Sequence, residues 1–486
     1  MKQHSVKYNF IMNFILSASQ FIFPLITFPY ISRILLAEGN GKITFATSVA
    51  NYFLMVASLG IPTYGIRACA QVRNDRIKLS KTVHELLIIN SITTLLVIIT
   101  YVICIFAVPR FRTDASLFWI NGINIVLNIV GMNWLFQALE QYDYITIRSL
   151  IFKAISVFLM IIFVRKEQDY LIYGVITVFA AVGSNLFNLL RARCYIDFKW
   201  IGNYELIKHL KPILILFAQS VAVSIYTNLD SVMLGFMKTD VDVGYYSAAV
   251  KIKTVLVSLV SSLGNVLLPR MSYYAKAGKE NDFLMTMQEA LNFTLLMSFS
   301  LAAYFSLFSD ECIRFLAGNG YTGAVIAMQI ITIAVIPIGV TGVLGVQVLT
   351  AIEKEKYVLY SVIVGAVLDF VLNLIFIPIW GAAGAALATT VAEFCVLIVQ
   401  LFFTRELMFR IRKELRGHIY LILTSISIVL SSGAKYLTVS SAFLKLIVSA
   451  AIFFIAYGIG LFVVRDEFIV KIISVATKKI KKKREN

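Results

Sequence analysis

YYSAAVKIKTVLVSLVSSLGNVLLP, residues 245–269, has the length and apolarity of a membrane-crossing helix, yet Lys251 and Lys253 stand in its first half. A lysine at the bilayer centre costs roughly 2.5–3.5 kcal/mol on insertion scales. A chain that keeps two of them in one span needs an interior for them to face. Composition says that such an interior lies in lipid. Of 486 residues, 59% are hydrophobic and only 15% charged, with a mean hydropathy of +0.83. A soluble protein carries about 25% charged residues.

Working outward, apolar runs of about 20 residues, the length that fits a hydrocarbon core of ~30 Å, fall at 10–32, 43–65, 83–108, 115–139, 145–164, 171–190, 213–237, 246–268, 289–309, 323–349, 357–379, 382–404, 418–437 and 442–464. Helices satisfy their own backbone in such spans, so the expected fold is an all-α bundle of about fourteen transmembrane helices. Of the 44 Lys and Arg, 31 fall at the termini and in the even-numbered loops. Ten fall in the odd ones, and only Lys153, Lys251 and Lys253 count as lying inside helices. The positive-inside rule then places both termini in the cytoplasm.

The net charge of +17 therefore lies along a membrane surface, which argues against a nucleic-acid partner. The tail KKIKKKREN reads as an anchor on anionic membrane lipid. Five scattered cysteines (Cys69, Cys104, Cys194, Cys312, Cys395) and four scattered histidines form no metal-ligand pattern. No GxxxxGK[ST] motif is present for ATP, and no cofactor is expected. The first apolar run is long enough to span, so no removed signal peptide is expected.

Polar residues at helical spacing mark faces turned away from lipid. Asn13, Ser17, Gln20, Pro24 and Thr27 share a face of the first span. Ser220, Ser224, Thr227 and Ser231 do so in the seventh, beside Gln219, Tyr226 and Asp230. In the eighth, Lys251, Ser258, Ser262 and Asn265 continue one stripe, while Lys253 lies about 200° away and can snorkel to the interface. Lys153 lies with Ser149 and Ser156 and suits either a buried ion pair or a substrate contact. Asp369 lies one turn before Asn373, and Glu393 shares a face with Thr389 and Gln400. Each acid suits a lysine partner, a coupling-ion site or a helix–helix hydrogen bond. Arg33 closes the first span off its stripe, where kinks at Pro24 and Pro29 could re-aim it. Cations in a polar interior suit an anionic cargo, phosphate above all. SRILLAEGNGKITFATSV (32–49) and DSVMLGFMKTDVDVGYYSAAV (230–250) resemble each other faintly, the pattern of parallel repeats forming two lobes.

FPYISRILLAEGNGKITFATSVANYFLMVASLGIPTYGIR (28–67) resembles the opening of Wzx-type polysaccharide repeat-unit flippases of the multidrug/oligosaccharidyl-lipid/polysaccharide exporter (MOP) superfamily. NWLFQALEQYDYITIRSLIFK (133–153) is similar to that family's fourth-to-fifth-helix segment, and IPIWGAAGAALATTVAEF (377–394) to its eleventh-to-twelfth-helix turn. The resemblance implies an N-terminal lobe (1–200), a C-terminal lobe (201–404), two further helices (405–464) and a basic cytoplasmic tail (465–486), with the lobes around a central cavity. It implies a bacterial cytoplasmic-membrane flippase with no enzymatic activity, moving undecaprenyl-pyrophosphate-linked oligosaccharide to the outer leaflet by alternating access. A polysaccharide polymerase and chain-length machinery would be its partners. Lys251, Arg33, Lys153 and Lys253 are then expected to meet the pyrophosphate. Asn13, Gln20, Gln219, Ser224, Ser258, Ser262 and Asn265 are expected to meet sugars, and Asp230, Asp369 or Glu393 to couple an ion. The sequence departs from its relatives at Asn133, where they carry aspartate, and at Ala138, where they carry glycine, so no acidic role passes to residue 133.

Two alternatives stay open at this level. One is another cargo, such as a peptidoglycan lipid precursor or drugs. The other is an enzyme, a polymerase or glycosyltransferase, for which Asp240-Val-Asp242 is the only metal-like pattern.

Overall fold

The computed structural model describes residues 5–262, 264–436 and 441–466, and among them there are helices and no strands. By packing, the chain divides into Met1–Ser247 and Ala248–Asn486. The first unit begins with α1 (Val6–Ser58), 53 residues that would run about 80 Å if straight. Leu36, at φ 53° and ψ −170°, breaks it into two arms. There follow α2 (Ile61–Val72), α3 (Arg76–Ala107), α4 (Pro109–Thr113), α5 (Ala115–Leu127), α6 (Asn133–Ala138), α7 (Tyr142–Phe163), α8 (Tyr170–Val182), α9 (Asn185–Ala192), α10 (Ile207–Met237) and the start of α11 (Asp240–Val260). Its core gathers Leu79, Val83 and Leu86 of α3 against Trp134, Leu135 and Phe136 of α6. Gly65 is required there: a Cβ would lie 2.8 Å from the Trp134 ring.

The packing seam at 247/248 falls inside α11, and α10 is tied into the first unit at both of its ends. Its N-terminal end is pinned to α3 through Glu85, whose side chain is wholly buried. Glu85 accepts from the Glu205 N–H at 2.8 Å, from Lys208 Nζ at 3.2 Å and pairs with His209 Nε2 at 2.8 Å. Its C-terminal end is held by Arg110, which donates to the Gly235 carbonyl at 2.8 Å and pairs with Asp240. Beside the Arg110–Asp240 pair the two segments that resemble each other in sequence meet closely. A Cβ on Gly41 would strike the Asp240 carbonyl, and one on Gly244 the Ala37 carbonyl.

The second unit contains the rest of α11, then α12 (Gly264–Lys276), α13 (Glu280–Leu307), α14 (Ser309–Ala317), α15 (Ala324–Ile333) and α16 (Val335–Thr341). A π-helical stretch (Gly342–Leu349), α17 (Glu355–Trp380), α18 (Ala382–Ile411), α19 (Gly417–Ser432) and α20 (Ala442–Val463) complete it. Met271, Met287, Leu344 and Val348 lie in its core. The last two helices pack along α13, where Tyr457 donates to the Leu296 carbonyl at 3.1 Å and Tyr304 to the Leu446 carbonyl at 2.8 Å.

The expected spans fall largely on helix, with breaks at 128–132 within 115–139 and after Val260 within 246–268. Among the described residues, eleven helical stretches are long and apolar enough to cross a membrane; Tyr8–Val72, at 65 residues, counts as one of them, and Ala115–Leu127 is a shorter apolar helix. The outward face of α3 carries Ile92, Leu95, Leu96, Ile99 and Ile103, all exposed, as lipid contact demands. The chain is a multi-pass membrane protein.

Candidate functional site

In the first unit, α1, α7 and α8 enclose a cleft of about 330 Å³. Gln20, Pro24 and Thr27 line it from the polar stripe of α1, Lys153 and Ser156 from α7, and Tyr173 from α8. Three of the residues expected on one stripe thus do face one space, and Lys153 faces it with them. Lys153 Nζ donates to Ser19 Oγ at 2.8 Å and sits 5.7 Å from the centroid of the Phe23 ring. No carboxylate pairs with it among the described residues. Of the two uses the sequence left open for Lys153, the ion pair is not found among the described residues. Pro24 adds a second feature. Lacking an N–H, it cannot bond the carbonyl of Gln20, which leaves an acceptor on the same wall. A cation, an amide, hydroxyls and aromatic rings in an apolar bundle are the donors and stacking faces that an anionic, hydroxyl-rich headgroup needs.

The other expected cations lie elsewhere. Arg33 is exposed beyond the cleft, its guanidinium on the Pro29 carbonyl. Asn13 is exposed and does not line the cleft. Lys251 and Lys253 are half-buried on the part of α11 in the second unit. The stripe expected from Lys251 to Asn265 does not run on one helix, because α11 ends at Val260. Serines compete there for backbone groups: Ser258 donates to the Val255 carbonyl and Ser262 to the Leu259 carbonyl, each at 2.7 Å. The side chains of Gln219 and Asn265 lie outside the described residues, as do residues 467–486 of the basic tail. Ser224 is half-buried on α10.

Of the acids, Asp230 accepts from the Tyr246 hydroxyl, joining α10 to α11. Asp369 and Glu393 are buried on α17 and α18. Each stands 12 residues from Gly381, the turn of that hairpin, and Asn373 and Thr389 each stand 8. The hairpin's register is fixed further along, where Gln400 Nε2 donates to Ser361 Oγ at 3.0 Å. Both acids therefore lie at one height of a polar seam. The Asp240-Val-Asp242 pattern is consumed structurally: Asp240 pairs with Arg110, and Asp242 Oδ2 accepts from the Thr239 hydroxyl at 2.7 Å. No group of three or more His, Cys, Asp or Glu suited to a metal occurs among the described residues.

The sequence reading missed two features. Ser19, off the expected stripe, is the partner of Lys153. Arg148, counted with the loops, lies six residues inside α7 and is buried. It donates from Nη2 to Asn133 Oδ1 at 2.8 Å and from Nη1 to the Ser184 carbonyl at 3.1 Å. Its signal was present in the 133–153 segment, where Arg148 falls within the expected span 145–164.

Residues 6–275 match the polysaccharide biosynthesis protein family, more than half of the chain. The chain belongs to that family. Residues 216–375 of this polysaccharide biosynthesis protein also match the MatE family. It is 23% identical over 407 residues to a protein of Escherichia coli (strain K12) named "Putative O-antigen transporter", covering 83% of this chain and 97% of that one. Its fold is that of a solved lipid II flippase MurJ in an inward closed conformation, with a TM-score of 0.75, 13% identity, and coverage of 93% and 99%. An inward-facing MATE-family multidrug transporter of the MOP superfamily follows at a TM-score of 0.62, 12% identity, and coverage of 80% and 96%. At 12–13% identity, the likeness to these two structures is one of fold.

Proposed function

We propose that this protein carries undecaprenyl-pyrophosphate-linked oligosaccharide repeat units from the cytoplasmic to the outer leaflet of the bacterial cytoplasmic membrane, for capsule or O-antigen-type polymers. Fourteen crossings with cytoplasmic termini, two six-helix lobes and two added helices form the machine, which works by alternating access. The observation that carries the reading is Lys153. It is a cation in a cleft of a membrane bundle, and its bond goes to the Ser19 hydroxyl rather than to a carboxylate. Each unpaired polar group in hydrocarbon costs several kcal/mol, so sugars and pyrophosphate need such a lined route while the lipid tail stays in the bilayer. Lys251, Lys253 and Arg33 serve the pyrophosphate at other stages of the cycle. The stripe residues Gln20, Ser224, Ser258 and Ser262 serve the sugars. Polymerase and chain-length proteins take the product.

The test uses cells lacking this protein with sugar assembly intact. Single finished repeat units on polyprenyl carrier should accumulate on the cytoplasmic leaflet. Accumulation on the outer leaflet would instead indicate a polymerisation defect, and no accumulation would assign the cargo to another lipid.

A further inference from the structure

A second groove, of about 760 Å³, lies between α7 and α9 in the first unit. Its walls are chiefly apolar, and Ile147, Ile151, Phe187 and Leu190 are exposed along it, as side chains are where lipid tails cover them. At one end stand two arginines. Arg191, exposed in the last turn of α9, lies with its guanidinium 5.6 Å from the centroid of the Tyr144 ring. Arg148 lies about 9 Å along α7 from its start, with its guanidinium 5.5 Å from that same centroid.

Arg148 is only 8% exposed and forms no ion pair among the described residues. Its two terminal nitrogens meet an amide oxygen and a backbone carbonyl, both neutral. Its Nε, buried, has no hydrogen-bond partner there. Asp143 is the carboxylate in the groove lining, and no ion pair joins it to Arg148 or Arg191 among the described residues. A buried guanidinium without a counter-ion is costly, and an anion supplied from outside removes that cost. An arginine fork matches phosphate geometry.

We propose that this groove is a docking site for a polyprenyl pyrophosphate in the cytoplasmic leaflet, with the tail along Ile147, Ile151 and Leu190 and the headgroup between Arg191 and Arg148. It would load the carrier lipid before the oligosaccharide enters the Lys153 cleft, and in that order of events it rests on the function proposed above. Arg191 captures the headgroup at the rim, and Arg148 holds it beneath.

The test measures binding of undecaprenyl pyrophosphate to the full-length protein in phosphatidylcholine nanodiscs. Asn133→Asp places a carboxylate within reach of Arg148 Nη2 and removes the vacancy without removing the arginine. Binding should weaken about tenfold, as for loss of one charge-assisted bond, while the thermal midpoint stays level or rises. Arg191→Gln should weaken binding about threefold, as befits an exposed charge. Ile151→Trp, filling the groove from the lipid side, should reduce binding of the lipid while leaving any weak binding of inorganic pyrophosphate unchanged. Undiminished binding in all three variants would overturn the assignment. So would phosphatidylglycerol binding as tightly, which would make this a general anionic-lipid site, or inorganic pyrophosphate binding as tightly as the lipid. Transport of the full lipid-linked oligosaccharide, measured in parallel, separates the two readings. If the wild type transports and the variants bind normally, the groove alone fails. If the wild type binds through the arginines but moves no cargo, the function fails and the site stands.

Discussion

Lys153 on α7 reaches across to α1 and bonds the hydroxyl of Ser19 over 2.8 Å, the one side chain that meets its ammonium with a hydrogen bond among the described residues. A structural lysine in a membrane bundle would be expected to sit on a carboxylate, because an unpaired charge there is expensive. One held by a neutral hydroxyl keeps its charge available.

Lys153→Met should therefore leave protein abundance and thermal stability unchanged or slightly improved, since a buried charge is removed. Surface polysaccharide should fall by at least about tenfold, the cost of one charge-assisted contact. Ser19→Ala should have the smaller transport effect of the two. Polymer yield measured against membrane protein level separates these outcomes. Equal yields for Lys153→Met and wild type would make the lysine a structural residue.

Much of this was legible in the sequence, and the reason is the solvent. In lipid, hydropathy reports span and polar periodicity reports face, so the Gln20, Pro24 and Thr27 stripe and the Lys153–Ser156 face could be read before any coordinates. Ideal periodicity failed where the helix itself fails. The Lys251 stripe was projected through Ser262 and Asn265, but α11 ends at Val260. Arg148 was passed over because a charge near a helix end looks like a loop residue until its partners Asn133 and Ser184, 15 and 36 residues away, are seen.

Close approach of backbones makes a sharper stability prediction. Gly41→Ala would drive a Cβ into the Asp240 carbonyl, a backbone atom that cannot step aside. Overpacking of this kind costs about 1–3 kcal/mol. Gly458, in the interior of α20, has open space around its missing Cβ, so Gly458→Ala should gain about 0.5–1 kcal/mol by restricting the unfolded chain. Detergent-solubilised thermal melts of the two variants should move in opposite directions. A shift of the same sign would mean that the α1 and α11 segments are not held glycine to glycine.

The anchoring of α10 can be tested at its N-terminal end. Glu85 is wholly buried and takes a backbone N–H, Lys208 and His209, whereas the Lys208 side chain is 44% exposed. Glu85→Gln should cost on the order of 2 kcal/mol, because it strips the buried acceptor of its charge. Lys208→Ala should cost under about 1 kcal/mol, as for an exposed pair. The check is the loss of folded protein with denaturant in each variant. Comparable losses would place the anchor in the exposed charge instead of the buried carboxylate.

The seam between α17 and α18 offers the last test, and it concerns energy coupling. Asp369 and Glu393 stand each 12 residues from Gly381, and both are buried, as are Ser361, Asn373, Thr389 and Gln400 on the same two helices. Two ionised carboxylates brought to one level in a low dielectric repel, a repulsion that a shared proton or cation relieves. If that ion is the coupling ion, its release and rebinding bias the cycle. Asp369→Asn and Glu393→Gln should then each retain fold and cargo binding but lose the response of transport to an imposed proton or sodium gradient. The double variant should do no more harm than either single one, because one shared site has been removed. Transport in proteoliposomes, with and without each gradient, reads this directly. A gradient response preserved in both single variants would make the pair a structural hydrogen-bond network and move the search for coupling to Asp230, whose contact with Tyr246 joins α10 to α11.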